Sequence, residues 1–375
     1  VENYDWIVIG AGITGSALAY ELSKQQFSVL LLEKDPIPDN ATFYSYGGLA
    51  YWTGTTDATR QLGIEGLELH RHLGEELAGE TEFRELDLLL TINQQDDLQQ
   101  IAKSHDRFAI TPQLLDVPEA CELEPLLNPD AIAGVLRFPY AHIHPQKTSQ
   151  AYQNALVRHG GIIKYEAAID LIRQGDRIQG VITQQNTYHA ANTVVATGGL
   201  TRSLLQKLGI KTKTYFTHAQ LIKTAPVDFE LKNIIMPAAQ QRFSLEATAQ
   251  ELESRGAWEQ PEPTVIQSIL DSGVVQFRDR SLCIGQISAI ATDPQTDFNL
   301  ELAESQIRRQ ITPILPKLSD IYGVCHHCLV AFSDRPIDNV EPVESVTGLY
   351  LFTGFTSTLV FAPVIARRFA KQAAR

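Results

Sequence analysis

Residues Tyr4 to Glu33 constrain this chain more than any other stretch. Tyr4-Asp5-Trp6-Ile7-Val8-Ile9 reads as a short buried strand and runs straight into Gly10-Ala11-Gly12-Ile13-Thr14-Gly15, a G-x-G-x-x-G turn. Ala17, Leu18, Ala19 and Leu22 then mark an apolar helix reaching Lys24, and a second strand, Phe27 to Leu32, ends on Glu33. The glycines have separate tasks. Gly10 permits the tight turn, Gly12 lets a pyrophosphate approach bare backbone, and Gly15 lets the helix press against the strand. The phosphates would sit on the helix N-terminus, where free N–H groups and the macrodipole favour an anion. Glu33, about twenty residues beyond the turn, is placed to bond a ribose hydroxyl, and its charge disfavours an extra phosphate there. A lone glycine fingerprint is weak. With the strand, the helix and the terminal carboxylate all in position, it reads as a dinucleotide-binding Rossmann unit.

The 375 residues allow two ordinary domains or one large domain with an insert. A formal net charge of -13 argues against nucleic acid as a partner, because its phosphates would be repelled. Four cysteines in a chain this long make no disulfide framework, so a reducing, cytoplasmic setting is expected. No basic-then-apolar leader opens the sequence. The most apolar late stretch, Gly348 to Ala366, is interrupted by Gly354, Pro363 and several hydroxyl side chains, so no transmembrane segment is expected. A homo-oligomer is allowed for, since nothing in the pattern decides it.

Further along, Thr42 to Leu49 is a small-residue run ending Gly47-Gly48-Leu49, a place where backbone can lie close to a ligand. Thr56 to Glu76 is helical in pattern, Phe83 to Ile92 is a strand, and Asp116 to Pro129, rich in prolines and acids, reads as a surface connection. His144-Pro145 opens a helix that stops at Gly160-Gly161, and strands follow at 162–172, 178–183 and 193–196. Strands are expected at Tyr215 to Thr224, Val274 to Arg278, Leu282 to Ile287 and Tyr322 to Phe332, with helices over 244–255, 299–315 and 356–373. Nucleotide-binding βαβ material thus lies at the front, middle and end, separated by strand-rich pieces. The expected class is α/β, with a discontinuous Rossmann-like domain over residues 1–80, 144–212 and 335–375. A second, sheet-based (α+β) domain takes residues 81–143 and 213–334.

Four landmarks together resemble one family. They are Gly10 to Glu33; Thr193-Val194-Val195-Ala196-Thr197-Gly198-Gly199; Phe277-Arg278-Asp279-Arg280-Ser281-Leu282-Cys283-Ile284-Gly285; and the run from Asp338 through Pro342 to Gly354-Phe355-Thr356-Ser357-Thr358 and Ala362-Pro363. The chain resembles, over nearly its whole length, the FAD-dependent D-amino-acid oxidase, glycine oxidase and sarcosine oxidase family. The resemblance implies FAD bound extended, with the flavin ring at the boundary of the two domains. Its contacts would fall on Gly10, Gly12, Ile13, Thr14 and Gly15, on Glu33, Lys34 and Thr42, and on Gly47, Gly48 and Leu49. Further contacts would fall on Ala168, Ala196, Thr197 and Gly198, and on Gly354, Phe355, Thr356, Ser357 and Thr358. The chain departs from the family where substrate is chosen. A G-x-R-P element is replaced by Val330-Ala331-Phe332-Ser333-Asp334-Arg335-Pro336, so Arg335 is either the carboxylate clamp slipped by two residues or no clamp at all. The segment 226–263 is also longer than the family leads one to expect.

Only one dinucleotide fingerprint is present, so the hydride donor is expected to be the small substrate itself. An amino acid or amine would give an imine that water hydrolyses, and oxygen or a quinone would take the electrons. Arg278 and Arg335 are the candidate clamps for a substrate carboxylate, weighed against ordinary ion pairs. Tyr51 and Trp52 are weighed between a flavin face and plain core, and His218 between facing substrate and being a hydrogen-bonded strand histidine. Cys325-His326-His327-Cys328 suggests a metal, but neighbours on a strand point to opposite faces, so structural or site-lining roles are expected and no metal. Two rival readings stay open. One is a 2-hydroxy-acid dehydrogenase of the same fold, with His218 or His326 as base; the other is a flavin-bearing binding protein without turnover.

Overall fold

Ile7-Val8-Ile9 carries β-branched side chains on both faces of one strand, β1 (Asn3–Ile9), which fits only the buried middle of a parallel sheet. The computed structural model describes residues 3–239, 241, 245, 256–259, 265–333, 339–344 and 346–375. After β1 come α1 (Ile13–Lys24), β2 (Val29–Glu33), the short α2 (Ala41–Tyr44), β3 (Gly48–Leu49) and α3 (Asp57–Glu76). The next piece holds β4 (Arg84–Asn93), α4 (Leu98–Ser104), β5 (Gln113–Leu115), α5 (Val117–Leu123) and β6 (Ile132–His142). Then follow α6 (Pro145–Arg158), β7 (Ile162–Tyr165), β8 (Ala168–Gln174), β9 (Arg177–Thr183), β10 (Thr187–Val195) and α7 (Thr201–Gln206). Another strand-rich piece contains β11 (Thr214–Thr224), β12 (Ile234–Pro237), β13 (Val265–Gln276), β14 (Leu282–Ala291), α8 (Leu300–Ile311) and β15 (Gly323–Ser333). The chain closes with β16 (Glu341–Pro342), β17 (Leu349–Leu351) and α9 (Thr358–Ala373).

Among the described residues these strands form two sheets. The first runs β16-β17-β10-β1-β2-β7, with β9 on the start of β10 and β8 on β9; the pairs from β17 through β7 are parallel. The second runs β15-β11-β14-β13-β12-β4-β6-β3, antiparallel except where β12 lies parallel to β4. This is the mixed α/β architecture expected from the sequence. Alternation along β1 feeds two cores. Trp6 and Val8 enter one with α1, α6 and α9, while Ile7 and Ile9 enter the other with Leu171, Val181 and Leu205. No helix of the described residues is long and apolar enough to cross a membrane.

Two expectations change. Asp116 to Pro129 is not a bare connection, because it contains α5. There Asp116 and Glu119 form a reciprocal capping box and the proline lies in the first turn, where a missing N–H costs nothing. Glu124, just beyond, is fully buried and accepts from the amides of Lys232 (2.8 Å) and Asn233 (3.1 Å), tying this piece to β12. The segment 226–263 supplies β12 to the second sheet, while the expected helix over 244–255 lies outside the described residues except for Leu245.

The first turn is held by contact. A Cβ on Gly15 would lie 1.8 Å from the Gly10 carbonyl oxygen and 3.3 Å from the Ala196 Cβ. Gly10 itself, at φ +102, brings its own Cβ position within 2.6 Å of the Ala196 oxygen. Replacing Gly15 by alanine should therefore lower folding stability by about 3 kcal/mol, the upper range for overpacking. An unchanged urea midpoint would show that helix and strand can part without penalty.

Candidate cofactor and substrate site

A cavity of about 850 Å³ opens at the carboxyl ends of β1 and β2, where ligands of open α/β sheets bind. Its first wall is the turn itself, with Gly10, Gly12, Ile13 and Thr14, and beside it Glu33, Lys34 and Thr42. Gly12 is the N-cap of α1 and brings no capping side chain, and no acidic residue stands in the first helical turn. Such a helix start is a seat for a phosphate. The turn is pinned from behind, where the Ala11 carbonyl accepts from Ser16 Oγ (2.9 Å), Ser149 Oγ (3.2 Å) and Gln153 Nε2 (3.1 Å). Glu33 is fixed from both sides. Its Oε2 accepts from the Ala11 amide at 2.8 Å and its Oε1 from the Lys34 amide at 2.8 Å.

Ala168 at the start of β8, Ala196, Thr197 and Gly198 beyond β10, and Gly354, Phe355 and Thr358 before and in α9 continue the lining. Ser357, the N-cap of α9, is left-handed (φ 52) and also offers no capping bond, so a second helix start faces this region. Gly15 does not line the cavity, because it is spent on the helix–strand contact. Gly47, Gly48 and Leu49 do not line it either. Gly48 and Leu49 pair as β3 with His142 and Ala141, and a Cβ at Gly48 would strike the Tyr140 hydroxyl oxygen at 2.6 Å. Thr356 and Ser357 likewise stay outside the lining, Ser357 bonding Thr53 Oγ1 at 2.8 Å. The residues at hand fit a dinucleotide: a helix start whose N-cap brings no side chain and whose Ile13 amide meets only the Thr42 hydroxyl (3.0 Å), a fixed carboxylate and bare backbone in one cavity.

The far wall belongs to the second sheet. Ala219 and Leu221 of β11, Gln286 of β14 and His327 to Ala331 of β15 meet Tyr44 and Tyr46 from the segment after β2. The Tyr46 hydroxyl is buried without a partner among the described residues, and burial raises its pKa well above that of a free phenol. Tyr44 donates to Asp39 Oδ1 at 2.9 Å and stacks on His326. His218 lies behind this wall, fully buried, with Nδ1 2.8 Å from His327 Nε2. Burial, with His327 beside it, lowers its pKa to about 4, so it is neutral at pH 7.

The sequence-based candidates divide. Arg278 is exposed, donates to the Phe83 carbonyl at 2.8 Å and does not line the cavity, because the strand β13 ends before it and the turn carries it outward. Arg335 lies outside the described residues. Among the described lining residues there is no arginine. Tyr51 packs against the first core and Trp52 stacks on Phe138 at 4.1 Å; neither reaches the cavity. The four side chains of Cys325-His326-His327-Cys328 part company. Cys325 joins the core with Ile222 and Ile307, His326 meets Tyr44, and His327 and Cys328 line the cavity. His327 and Cys328 thus take the site-lining role allowed for 325–328, while Tyr46 and Gln286 escaped notice as site residues. Period-two alternation along the expected strand could have hinted at Gln286; Tyr46 lies on no strand.

Residues 5–372 match the family described as FAD dependent oxidoreductase (DAO). In sequence the chain is 28% identical over 229 residues to the 4-methylaminobutanoate oxidase (formaldehyde-forming) of Paenarthrobacter nicotinovorans, covering 59% of this chain and 28% of that one. It is 27% identical over 212 residues to the peroxisomal sarcosine oxidase of Homo sapiens, covering 56% of this chain and 54% of that one. The matches thus span about half or less of these curated relatives. In fold it is similar to glycine oxidase from Geobacillus kaustophilus, with TM-score 0.79 and 17% identity over 99% of this chain and 95% of that one.

Two measurements follow from the geometry. Glu33→Gln removes a charged acceptor of two backbone amides, so FAD affinity of the flavin-free protein should fall about tenfold, near the low end for such bonds. An unchanged Kd by fluorescence titration would detach Glu33 from the cofactor. Arg278→Ala should leave substrate KM within about twofold, as for other exposed side chains; a large rise would return the clamp to Arg278.

Proposed function

The chain belongs to the DAO family of FAD-dependent oxidoreductases, and from that membership we propose that it oxidises a small amino acid or related amine at the carbon beside nitrogen. The single observation carrying the reading is one cavity with two different walls. The glycine turn, the start of α1 and Glu33 suit the adenine dinucleotide; Tyr46, Gln286 and His327 suit a small polar substrate. When bound, FAD supplies a two-electron acceptor for the hydride leaving the substrate carbon. This chain's residues bind, orient and exclude water. Gly10 to Thr14 and the first turn of α1 take the phosphates. Glu33 takes the ribose, and the start of α9, with Gly354 and Phe355, favours negative charge on the ring system.

The similarity to a methylaminobutanoate oxidase and a sarcosine oxidase supports the amine class. Oxygen or a quinone then takes the electrons, and the imine released is hydrolysed by water. On sequence alone Arg335 stays the candidate partner for a substrate carboxylate, and the cytoplasm the candidate compartment. The proposed division is a cofactor domain built on the first sheet and a substrate domain built on the second.

The test is an anaerobic titration of the flavin-loaded protein with amino acids, secondary amines and 2-hydroxy acids. Loss of the flavin's visible absorbance with one or more amines is the expected outcome. Bleaching by hydroxy acids alone would move the reading to alcohol oxidation. Bleaching by none would leave a binding protein.

A further inference from the structure

We infer that His327 takes the proton from the substrate nitrogen, and that the buried His218 behind it fixes the tautomer needed to do so. The inference rests on the amine reading above and extends it to a residue and an atom. His218 on β11 and His327 on β15 lie on neighbouring strands, rings nearly parallel (17°) with centroids 5.0 Å apart. Phe298 covers both, its centroid 4.9 Å from His218 and 5.7 Å from His327. Only His327 lines the cavity.

At the 2.8 Å contact between His218 Nδ1 and His327 Nε2, one nitrogen must donate and the other accept. The choice is set at the far edge of His218. The backbone carbonyls of Ala291 and Asp293 act on this ring and favour its charged form, while Nε2, the nitrogen not turned to His327, forms no hydrogen bond among the described residues. Carbonyl oxygens repel a bare nitrogen lone pair and attract N–H, so Nε2 carries the proton of neutral His218. Its Nδ1 is then the acceptor, and His327 donates through Nε2–H. A neutral imidazole has one proton, so His327 Nδ1 is left bare. That nitrogen has no hydrogen-bond partner among the described residues.

The step balances. As the carbon–hydrogen bond breaks and its two electrons leave as hydride to FAD, the carbon–nitrogen double bond forms. The proton on nitrogen becomes acidic and passes to His327 Nδ1. The ionisable groups facing the pair are Asp39 and Asp297, which favour a charged His327, and Asp293, which does the same for His218; His326 adjoins them on β15. Burial outweighs the carboxylates and depresses both histidines, so the base is available at pH 7. It is lost only as pH falls below the ordinary histidine value of about 6.5.

Two experiments test this. In the flavin-free protein, nitrogen-15 NMR of the histidine rings should show His327 with Nε2 protonated and Nδ1 bare. Nδ1 protonated instead would overturn the inference whatever the substrate. In the flavin-loaded enzyme, with an amine that bleaches it, His327→Gln should lower kcat about 100-fold, the low end for removing a general base, and remove from the kcat profile the acid limb that His327 gives. His218→Leu should lower kcat and mix the His327 tautomers, and His218→Asn, whose side-chain oxygen can replace Nδ1 as acceptor, should restore most of both. Retention of the acid limb in His327→Gln would sink the assignment. Failure of every amine to bleach the flavin would instead strike the functional reading, leaving the ring tautomer to be judged by NMR.

Discussion

The structure turns on the absence of one side-chain carbon. At Gly15 the helix α1 lies so close to the strand before it that a Cβ would overlap the Gly10 carbonyl, and at Gly10 the loop after β10 presses equally hard. The end of β1 and the start of α1, neighbours in the chain, meet there with Ala196 from far along it. The contact aims the first turn of α1 at the cavity and sets the carboxyl ends of β1 and β10 side by side. Hydrogen bonds then lock what the contact defines. Ser16, Ser149 and Gln153 converge on the Ala11 carbonyl from behind, while Glu33 draws the Ala11 amide from the front. The two peptide units flanking Ala11 are thus each held, one at its nitrogen and the next at its oxygen, so the seat for a phosphate exists before any phosphate arrives.

This half of the site was legible in the sequence because local rules govern it. The glycine spacing, the apolar run of β1 and the acid at the end of β2 are each read within one element, and the cavity contains Gly10, Gly12, Ile13, Thr14 and Glu33 as expected. Even there the partners from α6 were invisible, since Ser149 and Gln153 are a turn apart on a helix more than a hundred residues away. The prolines and acids of 116–129 misled for a different reason. Composition suggested a loop, but the order Asp116, Pro118, Glu119 is a helix start, and order decides.

The substrate half was poorly legible because it depends on register across strands. His218 and His327 come together only because β11 and β15 pair with Gln220 opposite His327, and one residue of slip would send His327 to the other face. Tyr46 reaches the same wall from the turn between α2 and β3, a position no periodicity marks. Arg278 failed as a candidate on the same ground. It sits on a promising strand in sequence, yet β13 stops at Gln276 and the arginine turns out to the Phe83 carbonyl.

What register assembles on that wall is polar but uncharged. Tyr46 keeps its proton because burial disfavours a phenolate, Gln286 bonds Ser288 at 2.8 Å, and the two histidines stay neutral because burial disfavours an imidazolium. Carboxylates border it, the exposed Asp39 and the half-buried Asp293 both lining the cavity. Under the proposed reading a cationic amine would meet these carboxylates beside the neutral side chains of the wall. An ammonium set directly against Tyr46, Gln286 and His327 would lose solvation that these neutral groups do not repay, which under the proposed reading favours a nitrogen with its lone pair free. An amine in that state can surrender hydride from the adjacent carbon.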